Sequence, residues 1–120
     1  AWDILPTLAE LGGLKTPTAS DGVSLVPTLL GKPGQQEHAY LYWEFRERAP
    51  CQAVRAGPWK AIRTFASAKQ SEKFELYNLT DDLGEARNVA SEQPFIVERM
   101  RRQMAEAHRF NPNFPLPCDL

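Results

Sequence analysis

One stretch, Cys51 to Phe65 (CQAVRAGPWKAIRTF), limits what this chain can fold into more than any other. It contains two strand-like arms, Cys51 to Arg55 and Trp59 to Phe65, which the tripeptide AGP separates. Gly57 can adopt a positive φ at no steric cost, while Pro58 has a fixed φ and no N–H to donate. Because these two residues favour a tight turn, the stretch is predicted to form a β-hairpin.

Two further strand-like runs flank this hairpin. Ala39 to Phe45 (AYLYWEF) precedes it and Phe74 to Leu79 (FELYNL) follows it, and both are rich in the aromatic residues that favour strands. Turn-forming or polar segments separate all four runs. Four such runs in succession predict a small antiparallel sheet.

The remaining sequence predicts helices before and after the sheet. The first is expected from Asp3 to Leu11, with the Asp3 side chain capping its first turn and Pro6 at the third helical position. Gly12 and Gly13 are expected to end it. One face of this helix is an apolar stripe, formed by Ile4, Leu5, Leu8 and Leu11.

A shorter second helix follows the same plan, with Ser24 as its cap, Pro27 at its third position and Gly31 as its stop. The last helix is predicted from about Glu92 to about Arg109, with Ser91 as its cap. Its apolar face is expected to cover the sheet and carries Ile96, Met100, Met104 and Ala107. The predicted fold class is α+β: a small four-stranded antiparallel β-sheet packed with a C-terminal α-helix and preceded by one or two short helices.

Composition argues against several classes of function. The 120 residues carry a net charge of -1, which argues against a nucleic-acid or anionic-membrane surface. No apolar run approaches the roughly 20 residues of a membrane span. The two cysteines, Cys51 and Cys118, are too few for a disulfide framework and lack metal-ligand spacing. Because the chain begins Ala-Trp-Asp, without an initiator Met, we expect it to be a piece of a longer protein.

Four short motifs give the chain a resemblance to the type I sulfatases of the arylsulfatase family, in the alkaline-phosphatase superfamily. DILPTL with LGG (3–13) and DGVSL with LLG (21–31) are similar to D-[IL]-x-P-T-L…G and D-G-x-S-L…L-x-G. VRAGPWK (54–60) resembles V-R-x-G-x-[WY]-K. The segment 75–90 resembles E-L-Y-[DN]-L…D…E…N-L-A, through ELYNL and then Asp82, Glu85, Asn88 and Ala90. Each motif alone is weak, but together they cover nearly the whole chain in the right order.

The resemblance implies the C-terminal region of a sulfatase, a sulfuric ester hydrolase. In that family this region is a small antiparallel sheet with a closing helix, packed on a large α/β catalytic domain. Residues 1–31 are then expected to be a helical segment belonging to the end of the missing catalytic domain and linker, and 32–120 to be the C-terminal subdomain. The expected partners are the parent's own catalytic domain and, for the full-length protein, a sulfate ester, with no nucleic acid and no membrane.

The same resemblance places the chemistry outside this chain. Sulfatases use a formylglycine, made from a Cys or Ser in a C/S-x-P/A-x-R motif, and a calcium ion held by hard oxygen ligands. Calcium and formylglycine are therefore expected in the missing N-terminal domain, and no catalytic residue, metal ligand or cofactor is expected in this chain. Alone, the chain is predicted to be inactive and, lacking its partner, to self-associate through exposed apolar residues.

One match to the modification motif is interpreted as accidental. Cys51 begins the sequence CQAVR, which satisfies C-x-A-x-R. In the family, the modified residue lies at a helix N-terminus, where an anion is favoured. Here Gly57 and Pro58 follow at once and are incompatible with a helix, so Cys51 is predicted to be a strand residue.

The polar run WEFRER, where the first strand ends, is the main candidate for substrate contact. Loops of this subdomain can border the substrate cleft in the family, and loops often carry recognition residues. The candidate substrate-binding residues at the cleft rim are Trp43, Glu44, Arg46 and Arg48. The alternative for these residues is ordinary surface ion pairing.

Other polar residues are interpreted structurally. His38 and His108 are far apart and have no ligand spacing, so both are predicted to be surface residues. Lys60 is predicted to be an ordinary strand residue. The acidic residues after the fourth strand are expected to form a turn rather than a cation site; they are Asp81, Asp82 and Glu85.

Two other functions remain open from the sequence. The parent could be a related phosphonate or phosphate monoesterase, or the chain could be an independent α+β binding module. A C-x-P-S-R motif and metal-binding Asp and Asn residues upstream would favour the sulfatase. The cellular location is unknown, since the resemblance suggests either an exported (periplasmic or extracellular) bacterial enzyme or a cytoplasmic one.

Overall fold

A computed structural model describes residues 2–15, 20–47, 49–65 and 72–119. The chain divides into two compact units, residues 1–38 and 39–120. Within the described ranges, no helix has both the length and the apolar character needed to cross a bilayer.

The first unit contains two short helices, α1 (Ile4–Leu11) and α2 (Val26–Leu29). Pro6 is the third residue of α1 and is buried, as is Ala9. The predicted cap by Asp3 is wrong, because its side chain makes no capping hydrogen bond to α1. Asp3 Oδ1 instead accepts a hydrogen bond from the main-chain N–H of Val23 (2.9 Å) and lies 2.8 Å from His38 Nε2. Asp3 therefore joins segments 20 and 35 residues away to the start of the helix.

The segment before α2 is held closely against α1. The Thr7 hydroxyl donates to Asp3 O (2.6 Å) and accepts from the main-chain N–H of Leu25 (3.0 Å). A Cβ at Gly22 would lie 2.2 Å from Trp2 O, so only glycine permits this approach. At α2, Leu25 rather than Ser24 is the N-cap residue, although the Ser24 hydroxyl does accept from the N–H of Val26 (3.2 Å).

The apolar stripe predicted for α1 lies on its exposed face. Each of its members is more than half exposed: Ile4, Leu5, Leu8 and Leu11. The residues of α1 that are buried are the smaller Pro6, Thr7 and Ala9. The first unit therefore presents a row of large aliphatic side chains to its surroundings.

The second unit is the predicted four-stranded antiparallel sheet with its helix. Its strands are β1 (Leu41–Phe45), β2 (Cys51–Ala56), β3 (Trp59–Phe65) and β4 (Glu72–Asn78). They lie in the order β1-β2-β3-β4, so each strand pairs with the next one along the chain. The helix α3 (Pro94–Ala107) and a 3₁₀ turn (Pro117–Asp119) follow. The α+β fold class is confirmed.

The hairpin predicted from Cys51 to Phe65 is formed by β2 and β3. Ala56 pairs with Trp59, which leaves Gly57 and Pro58 as a two-residue turn. Gly57 has φ 57°, and the fixed negative φ of proline follows it, as a type II′ turn requires. This turn fixes the register of the whole hairpin, in which Val54 faces Ala61.

The core lies between one face of the sheet and α3. Residues directly opposite one another on neighbouring antiparallel strands point to the same face. One such row crosses all four strands and packs on the helix: Tyr42, Val54, Ala61 and Leu76. Met100 and Met104 of α3 cover this row and are almost completely buried, as the helical stripe predicted.

The ends of α3 differ from the prediction. The helix begins at Pro94 and ends at Ala107, two residues inside each predicted limit. Gln93 is the N-cap residue, and the described residues supply no side-chain capping hydrogen bond, so the predicted Ser91 cap is wrong. Pro94 starts the helix well because the first helical residue needs no N–H partner and proline has a helical φ.

Candidate functional site

A second row of side chains, next to the apolar row and on the same face of the sheet, is largely polar. Glu44, Gln52, Arg63 and Phe74 lie opposite one another across the four strands. Gln52 is only 2 % exposed although it is polar. A buried amide of this kind is stable only when it is hydrogen-bonded. The partners of the Gln52 amide are Tyr42 and Arg63 on the two neighbouring strands.

Glu44 lies at the β1 end of this polar row. Its Oε1 accepts a hydrogen bond from the Tyr42 hydroxyl (2.6 Å) and lies 2.5 Å from His108 Nδ1. Its Oε2 accepts from Arg46 Nη2 (3.0 Å). The Tyr42 oxygen in turn accepts from Gln52 Nε2 (2.7 Å). Glu44 therefore links the edge strand β1 to the end of α3 through a continuous hydrogen-bonded network.

These contacts keep Glu44 ionised. Burial alone would raise the pKa of its carboxyl, but hydrogen bonds from His108 and Tyr42, with the His108 charge and Arg46, outweigh burial and lower it. Burial and the adjacent Glu44 carboxylate raise the pKa of Tyr42 far above its ordinary value. Tyr42 is thus a permanent hydrogen-bond donor at any physiological pH.

His108, just past the end of α3, bridges two carboxylates. Its Nδ1 faces Glu44, and its Nε2 lies 2.6 Å from Asp119 Oδ1. Asp119 Oδ2 also accepts a hydrogen bond from the main-chain N–H of Leu116 (2.7 Å). The Leu116 side chain is fully buried. With a side chain 15 % exposed, His108 is not the surface residue that the sequence predicted.

The environment of His108 favours its protonated form. The hydrogen bond to Glu44 raises the pKa of His108 most, burial opposes it, and the contact with Asp119 raises it further. His108 in turn lowers the pKa of the Asp119 carboxyl. Without another ligand, the arrangement is an imidazolium held between two carboxylates, and it fixes residues 116–119 beside β1.

The network continues across the sheet to the far edge. Arg63 Nε donates to Glu72 Oε2 (2.5 Å), and Arg101 Nη1 on α3 lies 2.5 Å from Glu72 Oε1. The Arg101 guanidinium also lies over the Phe74 ring, 4.3 Å from its centroid. Glu72 thereby ties the helix to the edge strand β4.

The predicted cleft-rim residues do not share one surface. Trp43 lies on the opposite face of β1 from Glu44, since strand side chains alternate, and it is 42 % exposed. Glu44 and Arg46 belong to the network under the helix. Arg48 is outside the described residues.

Arg46 is only partly satisfied by its neighbours in the described chain. Its guanidinium donates to Glu44 through Nη2 and lies 6.0 Å from the centroid of the Phe114 ring. Its Nη1 is buried and has no hydrogen-bond partner among the residues that the structure describes.

Cys51 is a strand residue, as predicted. It is the first residue of β2, where it pairs with Phe45 and Thr64. No helix starts there, so the C-x-A-x-R match lacks the helix N-terminus that the modification motif has in the family.

The remaining polar candidates have structural partners. Asp82 accepts hydrogen bonds from the main-chain N–H groups of Ala86 (3.1 Å) and Arg87 (2.8 Å), which makes it a turn residue. Lys60 Nζ donates to Glu85 Oε1 at 2.6 Å. Glu85 has a positive φ of 55°, and this ion pair holds its side chain against the sheet.

A shallow cleft of about 290 Å³ lies beside the hairpin turn. Its walls are the turn, the Trp59 ring, and Arg99 and Gln103 of α3. None of the predicted rim residues lines it, so it is separate from the network around Glu44.

The model of the family described as N-sulphoglucosamine sulphohydrolase, C-terminal, matches residues 1–109 of this chain. The chain belongs to this sulfatase family. The sulfatase motifs in the sequence, the sheet and the closing helix all lie within the matched residues.

Individual sulfatases show the same likeness. The chain is 31 % identical over 98 residues to the Delta 4,5-hexuronate-2-O-sulfatase of Bacteroides thetaiotaomicron, an alignment that covers 78 % of this chain and 20 % of that protein. It is 29 % identical over 129 residues to Arylsulfatase K of Mus musculus, covering 91 % of this chain and 24 % of the relative. The structure of a 2-O GAG sulfatase superimposes with a TM-score of 0.75 at 30 % identity, over 87 % of this chain and 23 % of that one. The chain therefore spans about a quarter or less of these sulfatases.

The network around Glu44 could hardly be predicted from the sequence. Glu44 and His108 are 64 residues apart, and no spacing rule connects them. The one available signal was alternation in β1, which places Tyr42 and Glu44 on the same face as Val54 of the core.

Proposed function

We propose that this chain is the C-terminal subdomain of a sulfatase and that its parent hydrolyses sulfate esters. The observation that carries the proposal is the family match over residues 1–109, supported by a fold shared with a 2-O GAG sulfatase. The relatives described above are named as sulfatases, which favours sulfate over phosphate or phosphonate esters. In this proposal the chain packs on the catalytic domain and shapes its cleft.

The proposal also assigns each part of the chain to a domain of the parent. Residues 1–31 belong to the end of the catalytic domain and its linker, and residues 32–120 form the C-terminal subdomain. The exposed leucines of α1 support this assignment, because Leu5, Leu8 and Leu11 would be covered by a partner domain.

The formylglycine and the calcium ion are proposed to lie in the catalytic domain. Calcium requires several hard oxygen ligands. In the described part of this chain, the one cluster of possible metal ligands contains an imidazole and a thiol, His108 and Cys118 with Asp119. Cys51, in a strand, lacks the setting for conversion to formylglycine. The described residues therefore fit neither group.

We further propose that the end of β1 borders the substrate cleft through Trp43, Glu44, Arg46 and Arg48. The exposed Trp43 ring supports a stacking contact, and the Arg46 side chain, which is 24 % exposed, supports a polar one. Glu44 would act indirectly, since its carboxylate orients Arg46. For the parent's cellular location, the bacterial relative is compatible with an exported enzyme, which stays a prediction.

The experiment compares the full-length protein with this chain alone. The full-length protein should hydrolyse an aryl sulfate faster than the matching aryl phosphate, and the 120-residue chain should hydrolyse neither. Intact mass provides a second check, because conversion of Cys51 to formylglycine would make the chain about 18 Da lighter. Hydrolysis by the chain that Cys51→Ala abolishes would overturn the proposal.

The rim is tested in the full-length enzyme. Trp43→Ala should raise KM for the natural ester while leaving turnover of a small aryl sulfate nearly unchanged, because the ring would contact parts of the substrate remote from the ester. Leu83→Ala, which alters an exposed side chain on another loop, is the matched control. Equal effects of the two variants on KM would contradict a rim role.

A further inference from the structure

Three side chains of different chemistry meet where the segment after α3 returns to the sheet. They are His108, Cys118 and Asp119, and their ligand atoms all lie within 4.8 Å of one another. Cys118 and Asp119 lie beyond residue 109, the last residue that the family model matches. His108 lies within the matched residues, so the cluster joins the matched region to the segment that follows it.

These three donor types suit a transition metal of intermediate softness. Imidazole nitrogen, thiolate sulfur and carboxylate oxygen are the three donor types of protein zinc sites. In a tetrahedral zinc site, ligand atoms lie about 3.3–3.8 Å apart, given the usual zinc–ligand bond lengths. The separations here bracket that range, from 2.6 Å between His108 Nε2 and Asp119 Oδ1 to the 4.8 Å limit of the cluster.

Glu44 orients the His108 imidazole, which three nearby ligands alone would not do. It accepts from His108 Nδ1, which leaves Nε2 facing Asp119. Metal-binding histidines usually donate their other ring nitrogen to a carboxylate, which fixes the tautomer and strengthens the ligand. Glu44 is itself held by Tyr42 and Arg46, so the imidazole is oriented before any ion arrives.

Access differs between the members of the cluster. His108 and Asp119 are largely enclosed, whereas Cys118 is exposed. An ion can therefore enter from the Cys118 side, and water can occupy a fourth coordination position. Such an arrangement has fixed inner ligands, an entry path and an open position.

We propose that His108 Nε2, Cys118 Sγ and an Asp119 carboxylate oxygen form a zinc-binding site, oriented by Glu44 and separate from the catalytic metal of the parent. Binding replaces the proton between His108 and Asp119 with the ion and converts the Cys118 thiol to a thiolate, so protons are released to solvent. The bound ion would attach the tail, residues 116–119, to the end of α3 and to β1.

The first test uses cobalt as a spectroscopic substitute for zinc on the 120-residue chain, with its fold checked by NMR. Co²⁺ should give a saturable thiolate-to-metal charge-transfer band in the near ultraviolet, which one equivalent of Zn²⁺ removes. Cys118→Ser should abolish the band. Cys51→Ser is the matched control, because Cys51 lies in β2 outside the cluster, and it should leave the band unchanged.

The orienting role of Glu44 has its own readout. Glu44→Gln should weaken Zn²⁺ binding by about 10–100-fold without removing the charge-transfer band at saturating Co²⁺. His108→Gln should remove tight binding altogether. Zinc should also raise the thermal unfolding midpoint of the wild-type chain but not that of Cys118→Ser.

Metal analysis of the full-length protein gives an independent answer. Wild type should carry one more equivalent of zinc than the Cys118→Ser variant. Equal zinc content in these two proteins, or a cobalt band that survives in Cys118→Ser and disappears in Cys51→Ser, would overturn the proposal. His108 would then be an imidazolium that only pairs with Glu44 and Asp119.

Discussion

Asn88 Oδ1 accepts a hydrogen bond from the main-chain N–H of Leu76 at 3.0 Å, on the side of β4 away from β3. The main-chain N–H of Val89 donates to Leu76 O at 2.9 Å. Together Asn88 and Val89 satisfy the main-chain N–H and C=O of Leu76, whose side chain is fully buried. Asn88, which belongs to the sulfatase-like motif in residues 75–90, thus has a structural role, because it covers the edge of the sheet.

Asn88→Ala should lower the free energy of unfolding by about 1–3 kcal/mol, because the N–H of Leu76 would lose its partner in a partly buried position. Urea denaturation measures the change. Asn113→Ala is the control, since the Asn113 side chain makes no hydrogen bond within the described residues and lies in the exposed tail. Equal stability of the two variants would mean that Asn88 does not close the sheet edge.

Met100→Ala should cost about 2–4 kcal/mol in unfolding free energy, because its fully buried side chain covers the apolar row of the sheet. Phe95→Ala on the same helix is the comparison, since Phe95 is 89 % exposed and its truncation should change stability by less than about 0.5 kcal/mol. A Met100→Ala effect as small as that of Phe95→Ala would show that α3 does not dock as described.

The strands and α3 could be predicted because their signals are local. The turn at Gly57, the aromatic strands and the stripe through Met100 each depend on residues within a few positions of one another. The predicted caps at Asp3 and Ser91 failed for different reasons, since α3 begins at Pro94 and has Gln93 rather than Ser91 as its N-cap residue. A capping residue can bond elsewhere once the chain folds, and Asp3 bonds to Val23 and His38 instead.

The polar network could not be predicted for a different reason. His108 is paired with Glu44, 64 residues earlier, and the pairing depends on where α3 ends above the sheet. A histidine without nearby ligand spacing is indistinguishable in sequence from a surface residue. The separation of Trp43 from Glu44 is different, because alternation along β1 is a local pattern that the sequence itself contains.

Acid should weaken the attachment of α3 through Glu72. Burial alone would raise the pKa of Glu72, but hydrogen bonds and charges from Arg101 and Arg63 outweigh burial and lower it below the ordinary value of a glutamate carboxyl. A carboxyl whose pKa is lower in the folded chain stabilises the fold above its unfolded pKa, and this stabilisation is lost as the pH falls towards the folded value.

The test compares unfolding free energies of wild type and Glu72→Gln between pH 7 and pH 3. The variant should be less stable at neutral pH, and the difference should shrink below about pH 4.5. Glu98→Gln is the control on α3, since Glu98 is exposed and has no ion pair in the described chain. A Glu72→Gln difference that stays constant across this range would rule out the linkage.

The chain alone should self-associate through the exposed face of α1. Exposing large aliphatic side chains costs roughly 1.5–3 kcal/mol each relative to burial, so Leu5, Leu8 and Leu11 favour a partner surface. Sedimentation velocity at micromolar concentration should detect dimers or larger species, and Leu8→Lys should shift them towards monomer. Leu83→Lys, on an exposed turn of the other unit, should not. A monomeric wild-type chain would contradict this prediction.

The order β1-β2-β3-β4 has a consequence for how the second unit folds. Each strand pairs with its neighbour in sequence, so the sheet can form step by step with short loop closures, which are fast. The contact between Glu44 and His108 instead closes a loop of 64 residues and gains nothing until both the sheet and α3 exist. We expect it to form after the rate-limiting step, so His108→Ala should accelerate unfolding in stopped-flow measurements and leave the folding rate nearly unchanged. A slower folding rate in that variant would place the tail in the folding nucleus instead.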